Sequence, residues 1–518
     1  MQSGSRFIRG TLSAFAVAAT ASLALSGCGA PAAQPDQEPA ATAGGSLVIG
    51  VTTDPDTLFP WKATQFQAVS VLQNLYGTLT EFDQDLAVVP GLAESWEASE
   101  DGLTVTFKLR EGVTFSDGSA LDSEDVKFSL DKINEEATGA VARTSLAAVT
   151  SVEAPDPATV VVNLSAPDAA LPANLAVINM AILSSDDTET ALMTEPNGSG
   201  PFILEDRVPS QSLTLARSDS YWGDKAKLDS VELRVIPDES SIVSAMQSGN
   251  VDFAVFNSPL VAKTAEGPNL TVAKTPQLSY HALQLNAGRE VLADENVRLA
   301  IQCAVDRQEV LDTAALGEGE VTGPITSPAY KSDPADRPCP EKDLGKAAEY
   351  LKKAGKSDGV TISTIVSQGE YATSVDEAQN LKAQLAEANI TLDIEVLESG
   401  AFVSRWKEGD FDAAVALNGG RPDPDGMYGR YFTSTGNLNA VAGYSSPELD
   451  ALFAAGKSAS DPGERKDIYT QVSQELENNA AWVWLFTSYT YTTTSTSVDG
   501  FIPMANGSLQ YLRTTTNN

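Results

Sequence analysis

PGLAESWEASEDGLTVTFKLREGVTFSDGSALDSEDVKF, running from Pro90 to Phe128, reads as a strand, two tight turns and the start of a helix. Leu103, Val105, Phe107 and Leu109 alternate with Thr104, Thr106, Lys108 and Arg110. That period of two belongs to a strand with one face buried and the other in water. Asp101-Gly102 before it and Asp117-Gly118 after it are turn dipeptides, because Gly accepts positive φ cheaply and Asp bonds its own nearby backbone. Asp122 or Ser123 then caps a helix that carries Val126, Leu130 and Ile133 on one stripe. No group here has the chemistry of a catalyst, so the stretch is scaffold.

Toward the N-terminus, Arg6 and Arg9 precede an apolar run from Ala14 to Leu25. A charged n-region and a short h-region make an export signal, since the run is too short to span a bilayer stably as a mature helix. Leu25-Ser26-Gly27-Cys28 resembles a bacterial lipobox. The resemblance implies that residues 1–27 are a lipoprotein signal peptide and that Cys28 carries a diacylglyceryl group; two acyl chains suffice for stable anchoring. Residues 28–45, rich in Ala, Pro, Gln and Gly, are expected to be a disordered tether, having too little apolar surface to offset the entropy of ordering. No other stretch is apolar enough to cross a membrane, so the expectation is a tethered protein on the outer face of the cytoplasmic membrane.

The chain has 518 residues and a formal net charge of −36. Removing the first 27 residues takes away two arginines and no acid, which leaves 32 basic against 70 acidic residues. Such a balance argues against binding nucleic acid or an anionic membrane surface, which needs clustered Lys and Arg. The acids are dispersed and aid solubility. The length after the tether is ample for a large core in two or three domains, and a monomer is expected. Beyond Cys28 only Cys303 and Cys339 remain; an even pair in an exported chain suggests a disulfide, joining the helical pattern NVRLAIQCAVDRQEVL to the Pro-rich loop RPCP.

Further motifs follow in order. They are the opening strand Ser46 to Val51 with the loop Pro55 to Trp61, Asn197 to Phe202 (NGSGPF), Tyr221-Trp222-Gly223, Ser248 to Asp252 (SGNVD) and Glu295 to Arg307 (ENVRLAIQCAVDR). Together with Pro90 to Phe128 they resemble the peptide/nickel-type (family 5) extracellular solute-binding proteins of ABC importers, from Ser46 almost to the C-terminus. The resemblance implies an α/β, two-lobed periplasmic-binding-protein-like fold, class II of the large three-domain type, with a hinge and an interlobe ligand cleft. Domain I would be discontinuous, at 46–78, 198–275 and 488–518; domain II would be inserted at 79–197, and domain III at 276–487 would be the second lobe.

The residues of the second half agree with an α/β lobe. Ala378, Leu381, Leu385 and Ala388 make a helical stripe, and Leu392, Ile394 and Val396 alternate after it. Asp461-Pro462 opens a helix carrying Ile468, Val472 and Leu476, and the aromatic run AWVWLFTSYTYTTT follows as a strand.

Catalytic and cofactor chemistry is missing from the pattern. The single histidine, His281, lies in SYHALQLN with no GxSxG elbow, so a Ser/His/Asp enzyme is not expected. A metal site fails for want of clustered imidazoles or thiolates. Asp423-x-Asp425-Gly426 resembles part of a calcium loop, but Arg421 and Phe432 occupy its first and last ligand positions. No enzyme activity, cofactor or metal is expected.

The loop Asn418 to Phe432, NGGRPDPDGMYGRYF, follows the expected strand Phe411 to Leu417. Ligands of open α/β sheets bind beyond the carboxyl ends of strands. In the peptide-binding members that the chain resembles, an Asp in this loop pairs with the peptide's α-ammonium; aligned on Asp423-Pro424, that position is Gly420 here. Either Asp423 or Asp425 substitutes, or the ligand lacks a free amine there, and Arg421 then holds a carboxylate or phosphate by a bidentate fork. Tyr428, Trp406, Tyr371 and Tyr280 are further candidates, with Thr64 and Gln65 offered from the opposite lobe.

The expected function is a lipid-anchored receptor that captures short peptides or a peptide-like solute by lobe closure and delivers it to a permease and ATPase encoded as separate chains. A nickel chelate, an oligosaccharide or an opine-like anion are alternative ligands, and a non-transport sensory or adhesive lipoprotein is an alternative role.

Overall fold

A computed structural model describes residues 44–368 and 371–518. The export signal and Cys28 lie outside the described residues. Among those described, twelve strands join into one sheet, with the order Ile390–Glu398, Val360–Gln368, Ala413–Asn418, Tyr280–Leu285, Trp482–Ser495, Phe253–Phe256, Ser46–Val51, Ser230–Val235, Ser212–Arg217 and Phe202–Val208. Leu270–Pro276 and Gly319–Val321 also pair with Trp482–Ser495.

The aromatic run is therefore the spine of the molecule. Its first part, Trp482 to Phe486, pairs antiparallel with Tyr280–Leu285 in the second lobe. Its later part, Tyr491 to Thr494, pairs with Phe253–Phe256 in the first. A second crossing is made by Leu270–Pro276 running into Tyr280–Leu285 through Gln277, Leu278 and Ser279. Thr487 Oγ1 ties the two crossings together, lying 2.6 Å from the Gln277 carbonyl and 2.7 Å from that of Ser279.

The opening strands and the inserted segment of the first lobe share one buried cluster, and a second one, with Ile242, Met246, Phe256 and Tyr491, lies beside it. Leu47 and Ile49 of the opening strand, Leu213 and Leu215, and Phe107, Val126 and Leu130 of the inserted segment belong to the same buried cluster. The inserted segment adds its own antiparallel sheet, in the order Ala93–Ala98, Thr104–Leu109, Thr159–Leu164 and Val149–Asp156. Within it Val105, Phe107 and Leu109 are buried, but Leu103 is 37% exposed. The strand starts one residue later than its alternation suggests, because the Asp101 carboxylate accepts from the Leu103 amide at 3.0 Å and keeps it in the turn. Asp122 caps Ser123–Asn134 by accepting from the Glu124 amide, and Asp125 accepts from the Asp122 amide in return.

The second lobe packs Leu381, Leu385, Trp482 and Trp484 into a separate core. The helical pattern around Cys303 is two helices, Glu295–Ala304 and Arg307–Ala314, with Asp306 capping the second. Cys303 and Cys339 are bonded, with Cα atoms 5.0 Å apart. His281 is buried and partnered on both nitrogens, Nδ1 2.8 Å from Glu377 Oε1 and Nε2 3.1 Å from Ser488 Oγ, with its ring stacked on Phe486.

Candidate functional site

A cavity of about 630 Å³ opens where the two crossings meet. The helix Phe66–Leu75 and the segments around Tyr221-Trp222, Asn257 and the C-terminal residues Ala505 to Arg513 wall it from the first lobe. Gln277, Leu278 and Ser279 form its hinge side, and Gly419, Gly420 and Pro422 its second-lobe side. A further space of about 760 Å³ lies between the inserted segment and the second lobe, with Trp96, Tyr330, Lys457 and Arg465 in its walls. Phe82 and Pro422 face both spaces.

The charges of the main cavity are mostly neutralised. Arg513 pairs with Glu81 at 2.9 Å and donates to the Tyr221 hydroxyl at 3.3 Å. Burial, and then Glu81, push the Tyr221 hydroxyl up to about 12. The Arg110 guanidinium lies 4.8 Å over the Trp222 ring. What remains is an amide- and hydroxyl-rich wall with aromatic surface, the make-up of a small-ligand cleft. No histidine or cysteine is among the described residues that line it.

Gly420 has a steric reason to be glycine. A Cβ there would lie 1.9 Å from the Leu278 carbonyl oxygen. The loop is thus seated directly on the hinge, and Asp423 lies in the wall of the second space. Asp423 faces away from the main cavity: Arg465 Nη2 is 3.0 Å from its Oδ1, and Nη1 also donates to Oδ2, closing a buried bidentate pair. Asp425 sits beside Lys457 at 3.7 Å. Burial, with Asp423 and Asp168 adding to it against Lys457, raises its carboxyl to about 6. Neither acid stands in the main cavity.

The aromatic candidates behave as core. Tyr428 is fully buried; its hydroxyl donates to the Pro324 carbonyl and accepts from Trp484 Nε1 at 2.9 Å. Tyr280 packs on it, ring centres 5.7 Å apart, and is equally buried. Trp406 is held by Nε1 to Gln284 Oε1 at 2.6 Å, with its ring edge on Tyr431. Tyr371 sits edge-on to His281. None of these four walls the main cavity. Thr64 and Gln65 are exposed just before the helix Phe66–Leu75, which supplies Phe66, Ser70 and Gln73 to the cleft instead. Arg421 is exposed on the second-lobe loop between the wall residues Gly420 and Pro422.

Sequence reasoning missed Glu81, Asn257, Gln277, Ser279 and Arg513. They come together from distant segments and carry no local motif. Tyr221-Trp222 was visible as a motif, although nothing in its spacing points to a cleft.

The model of the bacterial extracellular solute-binding proteins, family 5 (middle), matches residues 87–439. Protein XP55 of Streptomyces lividans is 30% identical over 495 residues, covering 91% of this chain and 88% of that protein. The glutathione-binding protein GsiB of Salmonella paratyphi A is 26% identical over 485 residues, covering 89% and 92%. Among solved structures, the periplasmic murein tripeptide-binding protein MppA in its unliganded open form aligns with TM-score 0.82 at 19% identity, covering 92% of this chain and 98% of that one. The oligopeptide-binding protein AppA of Bacillus subtilis with a nonapeptide aligns with TM-score 0.66 at 25% identity, covering 92% and 100%. With its two lobes, two-stranded hinge and interlobe cavity, the chain belongs to the bacterial extracellular solute-binding proteins, family 5, which bind solutes and are not enzymes.

Proposed function

We propose that the protein is the capture component of an ABC importer for short peptides or a peptide-like solute, anchored by lipid on Cys28 to the outer face of the cytoplasmic membrane, with permease and ATPase on other chains. The observation that carries this reading is the cavity at the junction of two crossing strands. A ligand that touches both walls binds the closed arrangement better than the open one, and so shifts the population toward closure. Binding would rest on hydrogen bonds from Asn257, Gln277 and Ser279 and on aromatic contact with Trp222, without covalent chemistry.

The test is a thermal-shift titration of the full chain in mild detergent against di- to hexapeptides, sugars, nickel chelates and opine-like acids. A midpoint that climbs steadily with peptide concentration, as binding to the native state alone requires, supports peptide capture. A shift from the other classes only, with none from any peptide, ends it. Mass spectrometry of the same preparation shows whether Cys28 is the lipidated N-terminus.

A further inference from the structure

The lobes meet at a second place besides the crossing strands. On the first-lobe side it is the loop between the strand Thr159–Leu164 and the short helix Leu171–Leu175 of the inserted segment. On the second-lobe side it is the end of the helix Pro447–Ser458, just before the helix Pro462–Asn478. The Ala169 amide donates to the Lys457 carbonyl at 2.7 Å. Each group is an orphan of its own helix: the amide precedes the first turn of one, and the carbonyl stands in the last turn of the other, where intrahelical partners run out. Asp168 stiffens the first-lobe loop, its Oδ1 accepting from the Ala170 amide at 3.1 Å in an Asx turn. The contact borders the second space, whose walls hold Pro167, Asp168 and Ala169 from one lobe and Lys457, Ser458 and Ala459 from the other.

The charges around this contact do not balance. Asp423 is satisfied by Arg465, and Lys457 leans toward Asp425 at 3.7 Å, leaving Asp425 Oδ1 buried without a donor. Neither cation pairs with Asp168. The other ionisable groups in the walls of the second space are Glu97 on the first-lobe side and Lys466 and Tyr330 on the second. Glu97 and Lys466 are exposed, and the Tyr330 hydroxyl accepts from Arg465 Nη1 at 2.8 Å. Asp461, close by, caps its own helix. Three carboxylates thus share two cations where the lobes touch. Burial first, and then Asp423, raise the Asp168 carboxyl, against the Ala170 amide, Lys457 and Arg465. Swinging the lobes apart returns this side chain to water and to its ordinary behaviour, so the contact takes up a proton as it forms.

We propose that the loop around Asp168 and the helix end at Lys457 form a latch between the lobes, which protonation of Asp168 tightens. This rests on the capture reading in taking the lobes to swing apart, and it adds regulation: the latched arrangement is held more firmly in acid than at neutral pH, whatever solute lies in the main cavity. The sign follows from linkage. Proton uptake on latching means that lowering the pH favours the latch, down to the ordinary carboxylate value of 3.8, below which both arrangements are protonated and the gain is complete.

The experiment is hydrogen exchange of the ligand-free full chain in detergent at about pH 4.5 and about pH 7.5, on either side of the expected titration. The Ala169 amide is resolved by fragmentation, and each rate is corrected for its intrinsic pH dependence. Wild type is compared with Asp168→Asn, which keeps an acceptor for the Ala170 amide without the charge. The Leu109 amide, bonded to the Ala158 carbonyl at 2.8 Å within the inserted segment, reports unfolding of that segment. The expected result is that the Ala169 amide of wild type, measured against Leu109, is protected about threefold or more better in acid, a fraction of the tenfold that one decade of proton affinity supplies. In Asp168→Asn it should be protected equally at both. An unprotected Ala169 amide in acid overturns the latch. Equal protection of wild type at both pH values, or a pH step that survives in Asp168→Asn, overturns its control by Asp168. A step matched by Leu109 assigns the change to unfolding and overturns the proposal as well. No solute enters this experiment, so the peptide titration decides the capture reading separately.

Discussion

Two parts of one loop treat arginine and aspartate in opposite ways. At Asp423 the carboxylate is buried and gripped from two sides by Arg465, whose guanidinium also reaches the Tyr330 hydroxyl at 2.8 Å and the Gly456 carbonyl at 3.0 Å. Two residues earlier, Arg421 makes no side-chain hydrogen bond or ion pair, and Arg430 makes only its contact over the Tyr431 ring. The difference teaches how to separate scaffold from site within a single motif. A charge whose every lone pair or proton is met inside the protein is holding structure, and one whose donors are left open is available to something else.

The comparison can be broken at its scaffold end first. Arg465→Met leaves Asp423 as a buried, uncompensated charge, and the expected loss is about 3–5 kcal/mol, read from denaturant unfolding of wild type and variant. A loss below about 1 kcal/mol would mean that Asp423 is free to serve a ligand after all. The effect on ligand binding should come only through this loss of stability.

Asp425 sharpens the same contrast with an opposite sign. Its carboxyl is raised from 3.8 to about 6 in the folded protein, chiefly by burial. The folded state therefore holds this proton more tightly than the unfolded state. The resulting stability is fully present below about pH 4 and is lost as pH rises through about 6. Asp425→Asn should then stabilise the protein at pH 8, by on the order of 1–3 kcal/mol, and do nothing at pH 4. Thermal melts of both proteins across that range check the sign. Asp168, raised by burial beside Asp423, shares the direction. It adds to the slope in both proteins, so only the difference between them reports Asp425.

The smallest effect is expected where the charges are unpaired. Arg421→Ala, at an exposed position with no side-chain hydrogen bond or ion pair, should change the stability of the ligand-free protein by no more than about 0.5 kcal/mol, read from denaturant unfolding. A loss above about 2 kcal/mol would make Arg421 scaffold and erase the contrast with Asp423.

Much of the framework was legible from local pattern. Val105, Phe107 and Leu109, the Asp122 cap, the stripe Ala378, Leu381 and Leu385, and the Asp461-Pro462 helix start each depend on residues within a turn or two of one another. Periodicity and capping report such relations directly. Leu103 escaped because a side chain two residues away competed for its amide. The cleft was far less legible. Tyr280 and Tyr428 look like ligand aromatics by composition and placement, yet they pack on each other and on Trp484 in the interior. Arg513 reaches the cavity only because the C-terminus folds back onto the hairpin that carries Glu81.

By itself, the sequence determined an α/β protein of two lobes, with an aromatic strand near its end and a Gly/Pro/Asp-rich loop beyond a strand of the second lobe. These are consequences of short-range periodicity, of turn chemistry and of motifs in a fixed order. Only the tertiary structure decided what that loop does with its charges. Asp423 finds its partner 42 positions away in Arg465, and Gly420 meets the hinge at Leu278. Pairing depends on which groups the fold brings within hydrogen-bond distance, and no spacing along the chain encodes that.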